Sequence, residues 1–350
     1  MVIKMIRFEC DYAEGAHENV LKRLVETNME STETYSEDAY CARARELIKK
    51  ELGDQGSNAD IHFLVGGTQT NLTVISAALR AHECVVAAKT GHVNVHETGA
   101  IEATGHKVYT LDTPDGKLTA QMVKKTFLDH KNDESYEHIA KPKLVYISNP
   151  TELGTTYDKA ELEALYGVCR ESDMLLYMDG ARLGCALTLD GCDLTLEDCA
   201  RLTDVFFIGG TKHGALFGEA VVITRDELKK DFRFIIKQKG GMLAKGRLLG
   251  LQFEALFTDG LYYKLARHSV DMAMLIKAAF IAKGFELVAP NGTNQQFVKM
   301  PYDKMDVLKR DFAFATIDRT HEDYAVLRFC TSWATKREDV DTLVKAIMLL

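Results

Sequence analysis

From residue 60 to about residue 225, short apolar runs alternate with amphipathic stretches of helical length. Such alternation requires crossover helices between neighbouring strands and predicts a mostly parallel sheet. Seven runs have strand character: Ile61–Val65, Cys84–Ala88, Lys107–Leu111, Leu144–Ile147, Met174–Met178, Val205–Ile208 and Ala220–Ile223. Ahead of them, Ala39–Leu52 reads as a charged amphipathic helix, and Glu9–His17 as an irregular segment that wraps over the body or onto a second subunit. After Gly240-Gly241 the pattern changes. Leu248–Phe280 predicts one long connecting helix; Phe285–Val288, Gln296–Met300 and Ala325–Cys330 predict the strands of a smaller α+β unit, closed by a helix over Lys336–Met348. The expected organisation is an N-terminal segment (1–22), a large α/β domain (23–245) and a small C-terminal α+β domain (246–350). Only five prolines occur in the chain, too few for a flexible linker, so the two larger parts are expected to pack together.

The 350 residues suit one large domain plus a smaller one. The net charge of −8, with no basic tail or stripe, argues against a nucleic-acid partner. No run of 18 apolar residues appears, which argues against a membrane partner, and the opening Met1-Val2-Ile3-Lys4-Met5-Ile6-Arg7 is too short and too quickly charged for a signal peptide. A cytoplasmic location is therefore expected. Eight cysteines are scattered without a Cys-x-x-Cys pair, so they read as reduced, mostly buried thiols. His92-x-x-x-His96-Glu97 has the spacing of two ligands on a helix but not the order that makes a zinc hydrolase site, and no metal is expected.

In a sheet of this kind ligands bind outside the carboxyl ends of the strands, and three of those ends are unusual. The first, Gly66-Gly67-Thr68-Gln69-Thr70-Asn71, opens an apolar helix. Its small residues let backbone N–H groups and the Thr68 hydroxyl approach an anion at a helix N-terminus; the same residues also suit a helix capped by Thr68 or Thr70. The second end carries Asp179-Gly180-Ala181-Arg182. A carboxylate at the end of a buried strand is costly unless paired, so Asp179 needs a cationic or N–H partner, either a pyridinium nitrogen or Arg182 itself. The third is Gly209-Gly210-Thr211-Lys212-His213-Gly214. A lysine among glycines at the exit of an apolar strand is desolvated, which lowers its pKa and makes the amine a nucleophile toward an aldehyde.

Together with His92-Val93-Asn94-Val95-His96-Glu97-Thr98-Gly99-Ala100, these segments resemble the low-specificity threonine aldolases, in the beta-eliminating-lyase branch of fold-type-I pyridoxal-phosphate enzymes. The resemblance covers nearly the whole chain. It implies an aspartate-aminotransferase-like fold with a seven-stranded, mostly parallel large-domain sheet, and pyridoxal 5'-phosphate as cofactor. Residue by residue, it implies Lys212 as the Schiff-base lysine and Asp179 as the partner of the pyridine nitrogen. Arg182 would lie beside the ring hydroxyl, with Thr211 next to the lysine. Gly67 and Thr68 would bind the phosphate, and His92 would stack on the ring. His96 is read as structural, and Arg328 as the bidentate grip on the substrate α-carboxylate, against an ordinary edge-strand arginine. The implied reaction is cleavage of the Cα–Cβ bond of a β-hydroxy amino acid, L-threonine or L-allo-threonine, to glycine and an aldehyde. The same lysine and aspartate would also serve a β-eliminating lyase or an aminotransferase acting on another amino acid.

Two segments depart from the resemblance. The loop Ser148-Asn149-Pro150-Thr151-Glu152-Leu153-Gly154-Thr155 lacks the histidine that handles the β-hydroxyl in those aldolases. Either Glu152 or a water takes that proton, or the substrate is not threonine. Cys10-Asp11-Tyr12 stands where the family tends to place a serine; Cys10 is expected at the edge of the site without a catalytic role. The family builds its sites between subunits, and Thr34-Tyr35-Ser36-Glu37-Asp38 resembles a segment that reaches across, so a homodimer or homotetramer is expected. Lys237 and Lys239 stand before Gly240-Gly241 as candidate cations for the neighbouring phosphate, because Leu243 occupies the place of the family's arginine.

Overall fold

The computed structural model describes residues 5–289 and 291–350; the first four residues of the opening stretch read for a signal peptide lie outside the described residues. All seven apolar runs between residues 60 and 225 are strands of one sheet: β1 (Asp60–Leu64), β2 (Glu83–Ala88), β3 (Lys107–Leu111), β4 (Lys141–Ser148), β5 (Leu175–Asp179), β6 (Val205–Gly209) and β7 (Glu219–Ile223). The strand order is β1-β7-β6-β5-β4-β2-β3. Strand β7 runs antiparallel to both β1 and β6, while every other pair is parallel. The continuous apolar runs follow from burial of both faces. Val145, Ile147, Leu176, Met178, Phe206 and Ile208 point into one core, and the alternate residues Leu144, Tyr146, Leu175, Tyr177, Val205 and Phe207 into another.

The predicted helix over Leu248–Phe280 is two helices, Arg247–Phe257 and Leu261–Ala282. Asp259 (φ 54°) and Gly260 (φ 65°) take the left-handed conformation between them, which aspartate and glycine tolerate and a continuous helix does not. The first helix buries Leu249 and Phe253 in the large-sheet core, and the second delivers Met272, Ile276 and Phe280 to a third core in the C-terminal part.

That part holds a three-stranded antiparallel sheet in the order Ala315–Asp318, Tyr324–Cys330, Gln295–Pro301, and ends in the helix Arg337–Leu349. The predicted strand Phe285–Val288 contributes only one isolated bridge, Leu287 to Val298. The third strand is instead Ala315–Asp318 on the opposite edge of the sheet, four residues with no fully buried side chain and therefore little hydrophobic signal. The N-terminal segment lies over this body. Ile6–Arg7 pairs with Phe312–Ala313, and Phe8 is fully buried in the third core. The Phe8 carbonyl accepts the Cys330 N–H, and the His17 N–H donates to the Gly214 carbonyl beside the lysine loop.

Candidate active site

The carboxyl ends of β1, β2, β4, β5 and β6 and the start of β7 surround a cavity of about 320 Å³. Gly67, Thr68, His92, Asp179, Arg182, Thr211 and Lys212, far apart in sequence, all line it. Arg328 does not belong to this lining.

The helix Gly67–Ala78 starts at the end of β1 and has Gly66 as its N-cap, with no side-chain cap. Neither Thr68 nor Thr70 caps it, so that reading of the segment falls; the Thr70 hydroxyl is buried without a partner. The amides of Gly67, Thr68 and Gln69 have no backbone acceptor among the described residues. A Cβ at Gly66 or Gly67 would meet no protein atom within 4 Å, so the space over these glycines opens onto the cavity. Free amides, a positive helix end and open volume suit a phosphate.

Asp179 ends β5 and is 5 % exposed. Its Oδ2 accepts the Tyr146 hydroxyl at 2.6 Å and Asn71 Nδ2 at 3.1 Å, and its Oδ1 accepts the Ala181 N–H at 2.9 Å. Gly180 follows because β5 and β6 nearly touch there: a Cβ would sit 1.9 Å from the Phe207 carbonyl oxygen. Arg182 does not pair with Asp179. Its Nε and Nη2 instead fork onto Asp11, at 2.6 and 3.0 Å, and Asn294 Nδ2 donates to the same carboxylate at 2.9 Å. Burial works against the Asp11 charge, but the Arg182 and Lys212 cations and these hydrogen bonds hold its carboxyl well below the usual carboxylate range. Among the described residues Asp179 thus carries three neutral donors and no paired cation, the state of a carboxylate prepared for a protonated ring nitrogen.

Lys212 lies on the loop between β6 and β7, and its Nζ makes no protein hydrogen bond among the described residues; it stands 5.9 Å from the centre of the Tyr12 ring. Burial, reinforced by the Arg182 charge, pushes its pKa down. His92 starts a single helical turn after β2, and its Nδ1 lies 2.7 Å from Glu97 Oε1, which also accepts Asn71 Nδ2 at 2.6 Å. Burial lowers the imidazole pKa, but the Glu97 bond and the Asp179 and Glu97 charges outweigh it and raise the net value. His96, read as structural on a packed helix, is instead exposed against the His92 ring, 5.5 Å between centroids.

The guanidinium of Arg328 is held by protein: Nη1 donates to Gln295 Oε1 at 3.2 Å and Nη2 to the Glu9 carbonyl at 3.0 Å, while Nε is buried without a partner. Of the Cys10-Asp11-Tyr12 segment, Tyr12 and not Cys10 reaches the cavity wall. Glu152 lines it too, with Oε1 accepting the His92 N–H at 2.9 Å and the Ser148 hydroxyl at 2.7 Å. Sequence reasoning missed the roles of Asp11, Tyr146 and Glu219. For Glu219 a signal was present: a carboxylate opening a strand that is otherwise wholly apolar.

A family model for beta-eliminating lyases matches residues 11–302. The chain belongs to the beta-eliminating lyase family. This lyase is 29% identical, over 98% of its length and 97% of the relative's, to a low specificity L-threonine aldolase from Pseudomonas aeruginosa. It is 45% identical to a threonine aldolase from Leishmania major whose solved structure superposes with a TM-score of 0.94, covering 98% of each chain. An aspartate aminotransferase from Thermus thermophilus shares the fold at a TM-score of 0.70 and 14% identity, covering 99% of this lyase and 92% of that chain. The aspartate-aminotransferase-like fold is thereby established, and this family and fold are pyridoxal-phosphate-dependent in general. The residues present fit that group: an unpaired lysine amine, a buried carboxylate lacking a cation, and an uncapped helix N-terminus face one cavity.

Proposed function

We propose that this lyase binds pyridoxal 5'-phosphate through Lys212 and cleaves a β-hydroxy amino acid, L-threonine or L-allo-threonine, to glycine and an aldehyde. The observation that carries the reading is that Lys212 and Asp179 line one cavity together with an uncapped helix N-terminus. When bound, the cofactor supplies an electron sink for the pair left on Cα as the Cα–Cβ bond breaks. The Asp179 carboxylate, fixed by Tyr146, Asn71 and the Ala181 N–H, keeps the ring nitrogen protonated. Gly67 and Thr68 would receive the phosphate, His92 would cover the ring, and Arg182, held by Asp11, would lie beside the ring hydroxyl, with Thr211 next to the lysine. Lys212 would deliver the proton that Cα gains once the aldehyde has left. Arg328 grips the substrate carboxylate after exchanging its Gln295 and Glu9 contacts for it, and Glu152 on the cavity wall, or a water it holds, accepts the β-hydroxyl proton.

The working division is that of the 1–22 segment, the 23–245 unit and the 246–350 unit, the first linking the other two through Asp11. A homodimer or homotetramer with sites at the subunit interface is supported by apolar side chains left exposed on the large unit, Met29 at 91% and Phe234 at 75%. A cytoplasmic location is supported by eight unpaired cysteines. No helix among the described residues is long and apolar enough to cross a membrane.

Incubation with pyridoxal phosphate and each threonine diastereomer, with Lys212→Ala as control, is expected to yield glycine and acetaldehyde in equal amounts from the wild type only. If neither product forms while the wild type keeps a visible absorption band that Lys212→Ala loses, the cofactor reading stands and the aldolase reading falls. The histidine-free loop would then mark another amino acid substrate, taken by a β-eliminating lyase or an aminotransferase.

A further inference from the structure

Glu219 is a carboxylate of the cavity wall to which the proposed mechanism gives no role. It opens β7 opposite Gly209 of β6, is 4 % exposed and forms no ion pair within 4 Å among the described residues. Both of its oxygens are instead tied to the two residues that precede the lysine. Oε2 accepts the Gly210 N–H at 3.0 Å, and Oε1 accepts the Thr211 hydroxyl at 2.8 Å, while the Thr211 oxygen in turn accepts the Gly218 N–H at 3.1 Å. The carboxylate therefore clamps both ends of the loop that carries Lys212, at positions where a backbone N–H and a hydroxyl already suffice to hold it.

A second neutral acceptor would clamp the loop equally well, so the clamp does not explain an ionisable group there. The titratable groups facing Lys212 come from four directions: Asp11 and Tyr12 from the N-terminal segment, His92 after β2, Asp179 and Arg182 after β5, and Glu219 from β7. Asp11 is committed to Arg182, and Asp179, held by three neutral donors, is assigned to the ring nitrogen. Burial keeps the nearby Cys185 and Cys330 thiols and the His213 imidazole uncharged. Glu219 itself faces Asp179 and the buried phenols of Tyr177 and Tyr262, and Lys212 is the cation acting on it.

We infer that Glu219 is a positioning residue that fixes the Lys212 loop and sets the charge on the lysine nitrogen, both as the free amine and once that nitrogen is linked to the cofactor. In the free protein burial and the Arg182 charge drive the amine toward its neutral form, and the Glu219 charge sets how far by favouring the ammonium. In the loaded protein the linked nitrogen carries a proton, and an ionised Glu219 stabilises it. Consistent with this exchange, burial pushes Glu219 up to about 8 while the Lys212 charge pulls it back.

The test is a spectrophotometric pH titration of the visible band of protein loaded with pyridoxal phosphate, a readout independent of turnover. Glu219→Gln removes the negative charge while its amide oxygen still accepts the Gly210 N–H and its NH2 donates to the Thr211 hydroxyl oxygen, reversing that bond. The midpoint at which the linked nitrogen loses its proton is expected to fall by at least about one pH unit, a tenfold shift in the proton equilibrium. Glu219→Asp, which restores the charge, is expected to return the midpoint most of the way. An unchanged midpoint in Glu219→Gln overturns the inference, and so does an equal displacement in the Gln and Asp variants, which would make the effect one of loop geometry alone. Should Glu219→Gln fail to fold, Glu219→Ala with and without added formate decides: recovery of the midpoint by formate supports the inference and its absence overturns it. The inference rests on the proposed cofactor. A wild type with no band that Lys212→Ala loses would bring down both readings, whereas a normal band with an unmoved midpoint brings down this one alone.

Discussion

Asp179 and Asp11 are both buried carboxylates, and their surroundings give them opposite tasks. Asp11 is matched by a full cation in a two-point fork, so it is structural even though it borders the site. Removing one partner of such a pair leaves the other charge buried, and Asp11→Asn is expected to cost about 3–5 kcal/mol, read as a lower urea midpoint. Asp179 has only neutral partners, so its charge is available to a ligand. Asp179→Asn is expected to leave the fold intact and lower kcat on the order of 10²-fold or more, since a fixed charge beside the reacting system is removed; steady-state kinetics on the loaded protein checks this. Asp179 and Lys212 were legible because each breaks an apolar strand at its exit. Asp11 was not, because its partners Arg182 and Asn294 are far along the chain and no local pattern announces them. Arg328 was legible as a candidate, but its fork is occupied by Gln295 and the Glu9 carbonyl, a competition that sequence does not reveal.

At the scale of elements, hydrophobic period decided what could be read. Strands β5 and β6 are buried on both faces and appear as unbroken apolar runs, whereas Ala315–Asp318 is half-exposed and passes for loop. The break between Arg247–Phe257 and Leu261–Ala282 was hidden because apolar residues continue on both sides of it, although Asp259-Gly260 is a recognisable stop. One buried polar residue in β1 has a consequence for acid stability. His62 packs on Phe232 with ring centres 5.1 Å apart and its Nε2 without a partner, and burial lowers it to about 3. Its folded value lies below the unfolded one, so the stability it contributes is complete above about pH 6.5 and drains away as pH falls towards 3. Replacing His62 with phenylalanine is expected to flatten that part of the stability–pH curve, measured by urea unfolding at a series of pH values.

For the whole molecule, seven strands, their crossover helices and a following α+β part were all implied by the order of apolar runs. The antiparallel insertion of β7 between β1 and β6 was not, since pairing partners follow from packing and not from sequence order. The wrapping of Glu9–His17 over the body was one of two readings of that segment, but its partners, the C-terminal part and the lysine loop, were not legible. That wrapping has a consequence for how the protein is made. Phe8 leaves the ribosome long before its backbone partner Cys330 and its core neighbours on the helix Arg337–Leu349. Asp11, which holds Arg182 at the rim of the cavity, likewise waits for Asn294. The central sheet has all its strands by residue 223, but the latched rim of the pocket must await Asn294 and Cys330. A chain cut before Asn294 would therefore keep every strand of the central sheet but lack the latch on the rim, and cofactor capture becomes a report that synthesis has passed that point.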